Sequence, residues 1–302
     1  MRASAEQRTT ELIITGDDFG LALPVNEAIE TGFRQGVLRS ASLMVGANAA
    51  QDAVERARRM SGLAVGLHLV LVEGRPVLPP DRIPDLVTSD GLFLDDLFAA
   101  GVRFFFRPHA RAQLRDEIRA QFEAFAETGL ELDHVNAHNH MHLHPTVHRI
   151  VLEVGARHGL RAVRLPYEPV RWAQARVGLA TRVTRVATGI ALAPWIALLR
   201  SRLRRAGIGF NDQVLGLHQS GEMDESAVLE LLRQLRPGVT EMYFHIATRR
   251  CPEIDLTTAA YRHEDELAAL LSDRVRGELD RHGIRPTCFA ELFAPTRHGD
   301  AA

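Results

Sequence analysis

The chain contains no lysine; all 36 of its Lys/Arg positions are arginine. That excludes a Schiff-base lysine and a phosphate-loop lysine. Cysteine is nearly as scarce, with Cys251 and Cys288 standing apart and no Cys-x-x-Cys pair. Two reduced structural thiols in a cytosolic protein are the expectation. There is no Asn-x-Ser/Thr sequon and no Gly-x-Ser-x-Gly elbow, and Gly207-Ile208-Gly209 lacks the third glycine of a dinucleotide fingerprint. Nucleophilic serine catalysis and NAD chemistry are therefore unsupported. The first 15 residues hold no apolar stretch of signal-peptide length. The longest weakly polar run, residues 186–199, is interrupted by Pro194 and reads as too short to span a bilayer. A net charge of −2 gives no global sign of a nucleic-acid partner.

What is present is ordinary in bulk and uneven in detail. With 302 residues, 46% hydrophobic and 25% charged, the chain can bury a core without disulfide or metal support. Short β-rich runs at residues 12–15, 41–45, 64–71, 132–137, 161–165, 212–217, 241–246 and 286–290 read as strands. Helical patterns fall at 24–35, 49–60, 111–127, 145–158, 225–235 and 264–280, with a Pro-rich loop at 74–91. Such alternation predicts an α/β fold, an irregular (β/α) barrel of mainly parallel strands. We expect one domain over residues 11–293, with flexible termini at 1–10 and 294–302. Residues 171–210 carry eight Arg and no Asp or Glu among many apolar residues, and read as an Arg-rich helical insertion.

In parallel α/β folds functional groups collect where strands end. Three strand ends here carry metal-type ligands: Asp17-Asp18, His68, and the run His134-Val-Asn136-Ala-His138-Asn-His140-Met-His142-Leu-His144. Taken singly, an Asp pair before glycine is a turn or helix cap, and one histidine among apolar residues is a core histidine. The run is different, because several imidazoles desolvated together need a metal or an anion. On an extended backbone His138, His140 and His142 share one side, about 6.6 Å apart. A single ion cannot easily take all three, so we expect one ligand, with the others facing substrate or supporting the site. One carboxylate and two imidazoles make an open site for one divalent ion, with Zn2+ favoured over Mg2+. Such an ion activates water and polarises a carbonyl. A free neighbouring carboxylate takes the proton, and His245, at the end of its strand, is placed to protonate a leaving amine. Arg164, also at a strand end, is a candidate to reach the substrate, although an Arg at a barrel rim is more often a structural ion pair.

The motifs Thr15-Gly16-Asp17-Asp18-Phe19-Gly20-Leu21, Val25-Asn26-Glu27-Ala28-Ile29, Ser42-Leu43-Met44-Val45, Gly66-Leu67-His68-Leu69 and the run from His134 to Pro145 resemble the YdjC-like carbohydrate deacetylases. The resemblance covers most of the chain. Within that family, the segments at 66–80 and 132–138 look closest to the hopanoid biosynthesis-associated branch. It implies an irregular barrel and a metal-dependent N-deacetylase acting on an N-acetylglucosamine unit. By that resemblance Asp18, His68 and His138 hold the metal, Asp17 is the general base, and the family's late histidine falls on His245. His140, His142 and Arg164 are expected at the substrate. The implied substrate is an N-acetylglucosaminyl hopanoid lipid. The alternatives are a deacetylase of soluble chitooligosaccharides, metal-assisted hydrolysis of a phosphate ester or cyclic amide, and a non-catalytic metal- or sugar-binding member. Many relatives have Asp, Ser and His where this chain has Asn136, Ala137 and Asn139, and Pro where it has Ile246. A lipid substrate requires this protein, expected in the cytoplasm, to reach the inner face of the membrane, with residues 171–210 either the peripheral contact or a helical flap packed on the barrel. A homodimer is compatible with the sequence.

Overall fold

The structure, a computed structural model, describes residues 9–169 and 179–294, with side chains after the gap described from residue 183. The expected flexible termini lie outside the described residues apart from Thr9, Thr10 and Ala294, as do residues 171–178 of the insertion. In chain order the elements are β1 (Thr10–Phe19), α1 (Leu23–Gln35), β2 (Ser40–Leu43), α2 (Ala50–Arg59), β3 (Ala64–Leu69), α3 (Leu97–Phe106), α4 (Pro108–Glu127), β4 (Leu132–Ala137) and α5 (Pro145–Gly155). There follow α6 (Leu179–Arg205), β5 (Gln213–Leu215), α7 (Glu225–Leu232), β6 (Gly238–Phe244), α8 (Pro252–Thr258), α9 (His263–Leu271), α10 (Asp273–Arg281), β7 (Pro286–Thr287) and α11 (Phe289–Phe293).

Six strands run in the order β4-β3-β2-β1-β6-β5, β7 adds to β1, and every pairing is parallel. The sheet curls into an irregular barrel whose thinnest part lies between β4 and β5. There the expected strand at 161–165 is reduced to the bridges Val135–Val163 and Ala162–Gly209. Just beyond them, the Asn211 side chain stands where the next strand's backbone would be. It accepts from Leu165 N–H at 2.7 Å and donates to Leu165 C=O at 2.9 Å. Pro166, without an N–H, cannot extend the ladder.

Alternation along β1 layers the barrel interior. Leu12 and Ile14 belong to the large core cluster beneath the helices, while Ile13 meets Ala162 and Phe289 inside. One step up, Thr15 donates to Glu241 at 2.7 Å; one more step up is Asp17. The inside therefore rises from an apolar plug, through a polar layer, to the carboxylate at the strand's C-terminal edge. On the outside α1 packs so closely that a Cβ at Gly16 would lie 2.2 Å from Ile29 Cδ1.

Two helix expectations change. The pattern at 264–280 is two helices, because Ser272 leaves helical geometry and its hydroxyl caps α10 by accepting from the N–H groups of Arg274 and Val275. Helix α3 was not expected; it follows the Pro-rich loop and is capped by Asp96, which accepts from Ala99 N–H. The run at 186–199 is not a short segment but the middle of α6. Among the described residues, Val183–Arg205 is long and apolar enough, by length and composition alone, to cross a membrane.

Candidate metal centre and active site

Strict alternation would send Asp18 outward, away from Asp17. Instead Asp18 has φ +61°, and the β1–β2 register shifts between Gly16 and Phe19. This local break turns both carboxylates toward the same centre, at a position where Asp tolerates the left-handed region better than most residues. The other non-glycine residues with positive φ among those described, Glu73, Asn139 and His140, lie around the same site.

Asp18 Oδ1 stands 3.2 Å from His68 Nε2 and 3.4 Å from His138 Nδ1. One ligand atom from each of the three residues falls within 4.8 Å of the others, and all three residues are buried. Asp18 Oδ1, His68 Nε2 and His138 Nε2 are buried without a hydrogen-bond partner. Orphaned polar atoms of this kind fit a divalent cation, for which one carboxylate and two imidazoles are suitable ligands. His68 Nδ1 lies 2.8 Å from Asn136 Oδ1, its partner across the β3–β4 ladder. The amide oxygen can only accept, so it fixes the proton on Nδ1 and leaves the Nε2 lone pair facing the centre. Burial opposes ionisation of Asp18, yet the neighbouring His138 and His68 hold its carboxyl well below the ordinary value. Burial likewise opposes charge on His138, but Asp18 and Glu73 push its pKa up to about 10.

Asp17 is held from the layer below. Its Oδ1 accepts from Ser42 Oγ at 2.5 Å, Asn136 Nδ2 at 3.2 Å and Arg164 Nη2 at 2.9 Å, and its Oδ2 accepts from Arg164 Nη1 at 2.5 Å. Oδ1 is thus saturated, while Oδ2 keeps a lone pair. Arg164 is itself anchored by Glu241, through Nε at 3.0 Å and Nη2 at 2.8 Å, and its guanidinium lies 4.7 Å over the Tyr243 ring. Burial pushes the Asp17 pKa up, but the Arg164 charge outweighs it and holds the carboxyl far below the usual range.

Of the two expectations for Arg164, the structure forms the ion pair. Its relative exposure is 0%, and its guanidinium is committed to Asp17 and Glu241. It supports Asp17 from beneath. The reading of the histidine run as an extended strand also changes. Alternation holds through His134, Asn136 and His138, but residues His138–Leu143 then coil into short helical turns, with Asn139 and His140 left-handed. His142 is consequently buried and turned inward, its Nε2 donating to Arg164 C=O at 2.9 Å. His140 is half-buried, its Nε2 3.4 Å from Tyr243 OH; burial first, then the Arg164 charge, lower its pKa to about 3. His134 lies a layer deeper, stacked 4.8 Å from Phe289.

His245 follows β6 directly, its ring edge-on to Tyr243 and Tyr261 with centroids 5.5 and 5.1 Å away. Two α9 residues clamp its backbone: Glu266 accepts from its N–H at 2.6 Å, and His263 Nδ1 donates to its C=O at 2.6 Å. That clamp holds the backbone at the turn into Ile246. Burial lowers the His245 pKa, partly opposed by Asp18 and Asp17. Glu73, not singled out from the sequence, places Oε2 3.5 Å from His138 Nε2 and accepts from Asn139 Nδ2 at 2.8 Å. Glu241 and Glu266 were missed too. The available signal was an acid inside an otherwise apolar strand or helix face.

A parallel α/β barrel that presents one carboxylate and two imidazoles at its strand ends, with a second carboxylate alongside, defines the class: a barrel protein with a candidate metal centre at its C-terminal strand edge. Residues 11–281 match the model of the family described as YdjC-like protein, and the chain belongs to that family. A carbohydrate deacetylase of Brevibacillus brevis is 36% identical over 160 residues, 52% of this chain and 60% of that one. The chain thus spans about 60% of that relative's length, under two thirds. A carbohydrate deacetylase of Mus musculus is 34% identical over 308 residues, 93% of this chain and 94% of that one. The fold resembles the crystal structure of a protein of Enterococcus faecalis V583 whose description is cellobiose-phosphate cleavage, with a TM-score of 0.72 at 21% identity, covering 94% of this chain and 99% of that one.

Proposed function

We propose that the chain is a metal-dependent N-deacetylase that removes acetyl from an N-acetylglucosamine unit carried on a hopanoid lipid, with residues 11–293 as its catalytic unit. The observation that carries the hydrolytic reading is the second carboxylate. A site for metal binding alone needs Asp18, His68 and His138, but not a neighbouring Asp17 held by four hydrogen bonds with one lone pair left over. The relatives named carbohydrate deacetylase support the amide as the bond cleaved. The likeness of residues 66–80 and 132–138 to the hopanoid branch supports the lipid carrier.

Asp18, His68 and His138 are the residues to hold the ion. When bound, it supplies Lewis acidity toward water and the amide carbonyl, and Zn2+ suits the donor set. Hydrolysis adds one water across the amide. Asp17 Oδ2 takes a proton from the attacking water, and Arg164 keeps that oxygen aimed. As the C–N bond breaks, His245 gives a proton to the nitrogen, leaving acetate and a free amine. Its lowered pKa makes protonated His245 a stronger acid than an ordinary imidazolium. Half-buried His140 offers a neutral imidazole at the sugar.

The test separates metal from base. Asp18→Ala loses bound metal by elemental analysis. Asp17→Asn keeps it while acetate release falls by about 10²–10⁴-fold. Full activity of Asp17→Asn refutes the base assignment. Acetate release from a glucosaminyl-lipid substrate, compared with N,N′-diacetylchitobiose and repeated with chelator, decides between the lipid-linked and soluble sugars.

A further inference from the structure

We propose that the exposed apolar faces of α3 and α6 form a docking surface for an anionic lipid bilayer beside the candidate site. The proposal rests on the lipid-linked reading above for the substrate such docking serves. On α3, Phe98, Val102, Phe105 and Phe106 are exposed, with Phe98 at 82% and Phe106 at 69%, while Ala100 and Phe104 are buried. At 3.6 residues per turn the four exposed residues share one face. On α6, Ile196, Leu199 and Leu203 are buried, whereas Val183, Ile190 and Leu198 lie exposed on the opposite side, Ile190 at 68%. Helix α6 therefore rides on the barrel by its C-terminal half and turns a second apolar face outward.

Both helices are anchored to one short segment directly after the candidate metal ligand His138. Phe104 and Phe105 pack edge-on to the His144 ring, with centroids 6.1 and 6.2 Å away. From the other side Trp195 Nε1 donates to Leu143 C=O at 3.0 Å. The apolar faces thus flank the loop that forms one wall of the site.

Charge selects the occupant. Among the described side chains of α6 the charged ones are Arg185, Arg200, Arg202, Arg204 and Arg205, with no acid. A symmetric contact between two copies through α6 would set two such segments against each other, which is unfavourable. Aromatic and aliphatic side chains on helices whose own charges are basic suit an interface of anionic headgroups and acyl chains.

The test uses the full chain and vesicles of phosphatidylcholine with or without phosphatidylglycerol. The wild type co-sediments with phosphatidylglycerol vesicles and is released by salt. Phe98→Ser/Phe106→Ser and Ile190→Ser/Leu198→Ser each lower the bound-to-free ratio about tenfold or more. Both variants alter exposed positions, so melting temperature and acetate release from a soluble sugar stay unchanged. The proposal is overturned if the wild type remains in the supernatant or the variants bind like it. Light scattering showing a dimer that these variants dissociate overturns it in favour of a second copy. Loss of acetate release from every substrate by the wild type counts against the deacetylase reading alone, because vesicle binding is measured without substrate.

Discussion

Replacing Arg164 by Met removes the guanidinium at the centre of the barrel while keeping most of its volume. The side chain is fully buried and makes two hydrogen bonds to each of two buried carboxylates, Asp17 and Glu241. Removing one partner from such a network costs about 3–5 kcal/mol, because the remaining charges are left uncompensated. At about 2 °C per kcal/mol for a chain this long, the melting temperature falls by about 6–10 °C. The pH dependence carries the sign. In the wild type Asp17 has a folded pKa below its ordinary value, so its contribution to stability is present above that value and lost as pH falls through the folded one. In the variant burial is unopposed and the folded pKa lies above the ordinary value. Asp17 then destabilises the fold increasingly as pH rises through the carboxylate range. The gap between the two proteins should widen from pH 4 to pH 7. Differential scanning calorimetry across that range, with acetate release at each pH, is the assay. If the variant melts like the wild type and shows only a raised KM, Arg164 is a substrate contact after all.

Asn136→Leu removes the acceptor that sets the His68 tautomer and should weaken metal binding by about 10–100-fold in a chelator competition; unchanged affinity would show that the His68–Asn136 contact does not orient the ligand. Because His138 in the metal-free protein holds its proton up to about pH 10, a cation must displace that proton, and affinity should rise about tenfold per pH unit between pH 7 and 9. A flat profile from titrations at three pH values would contradict the coupling of His138 to Asp18 and Glu73. Gly66→Ala should destabilise the barrel, since a Cβ there would lie 2.5 Å from the His134 ring; a melting temperature equal to wild type would mean that ring can move aside.

The strand ends, the parallel alternation and the placing of Asp17, Asp18, His68, His138 and His245 at those strand ends were legible in the sequence. Strand period, turn chemistry and ligand type are local properties, and a functional group at a C-terminal strand edge needs no long-range contact to be noticed. Convergence was not local. That both carboxylates face one centre depends on the left-handed backbone at Asp18. That the His142 ring turns inward onto the Arg164 carbonyl depends on the coil beginning at His138. The role of Arg164 was set by Glu241, 77 positions along the chain, and the aim of His245 by α9. The apolar character of α3 was in its phenylalanines, but only packing decided that Phe104 is buried while Phe98 and Phe106 face out. Sequence by itself determined which chemical groups each strand end carries. Tertiary structure decided which of them meet, because a buried charge takes its role from the partners that compensate it, and those partners lie far away in the chain.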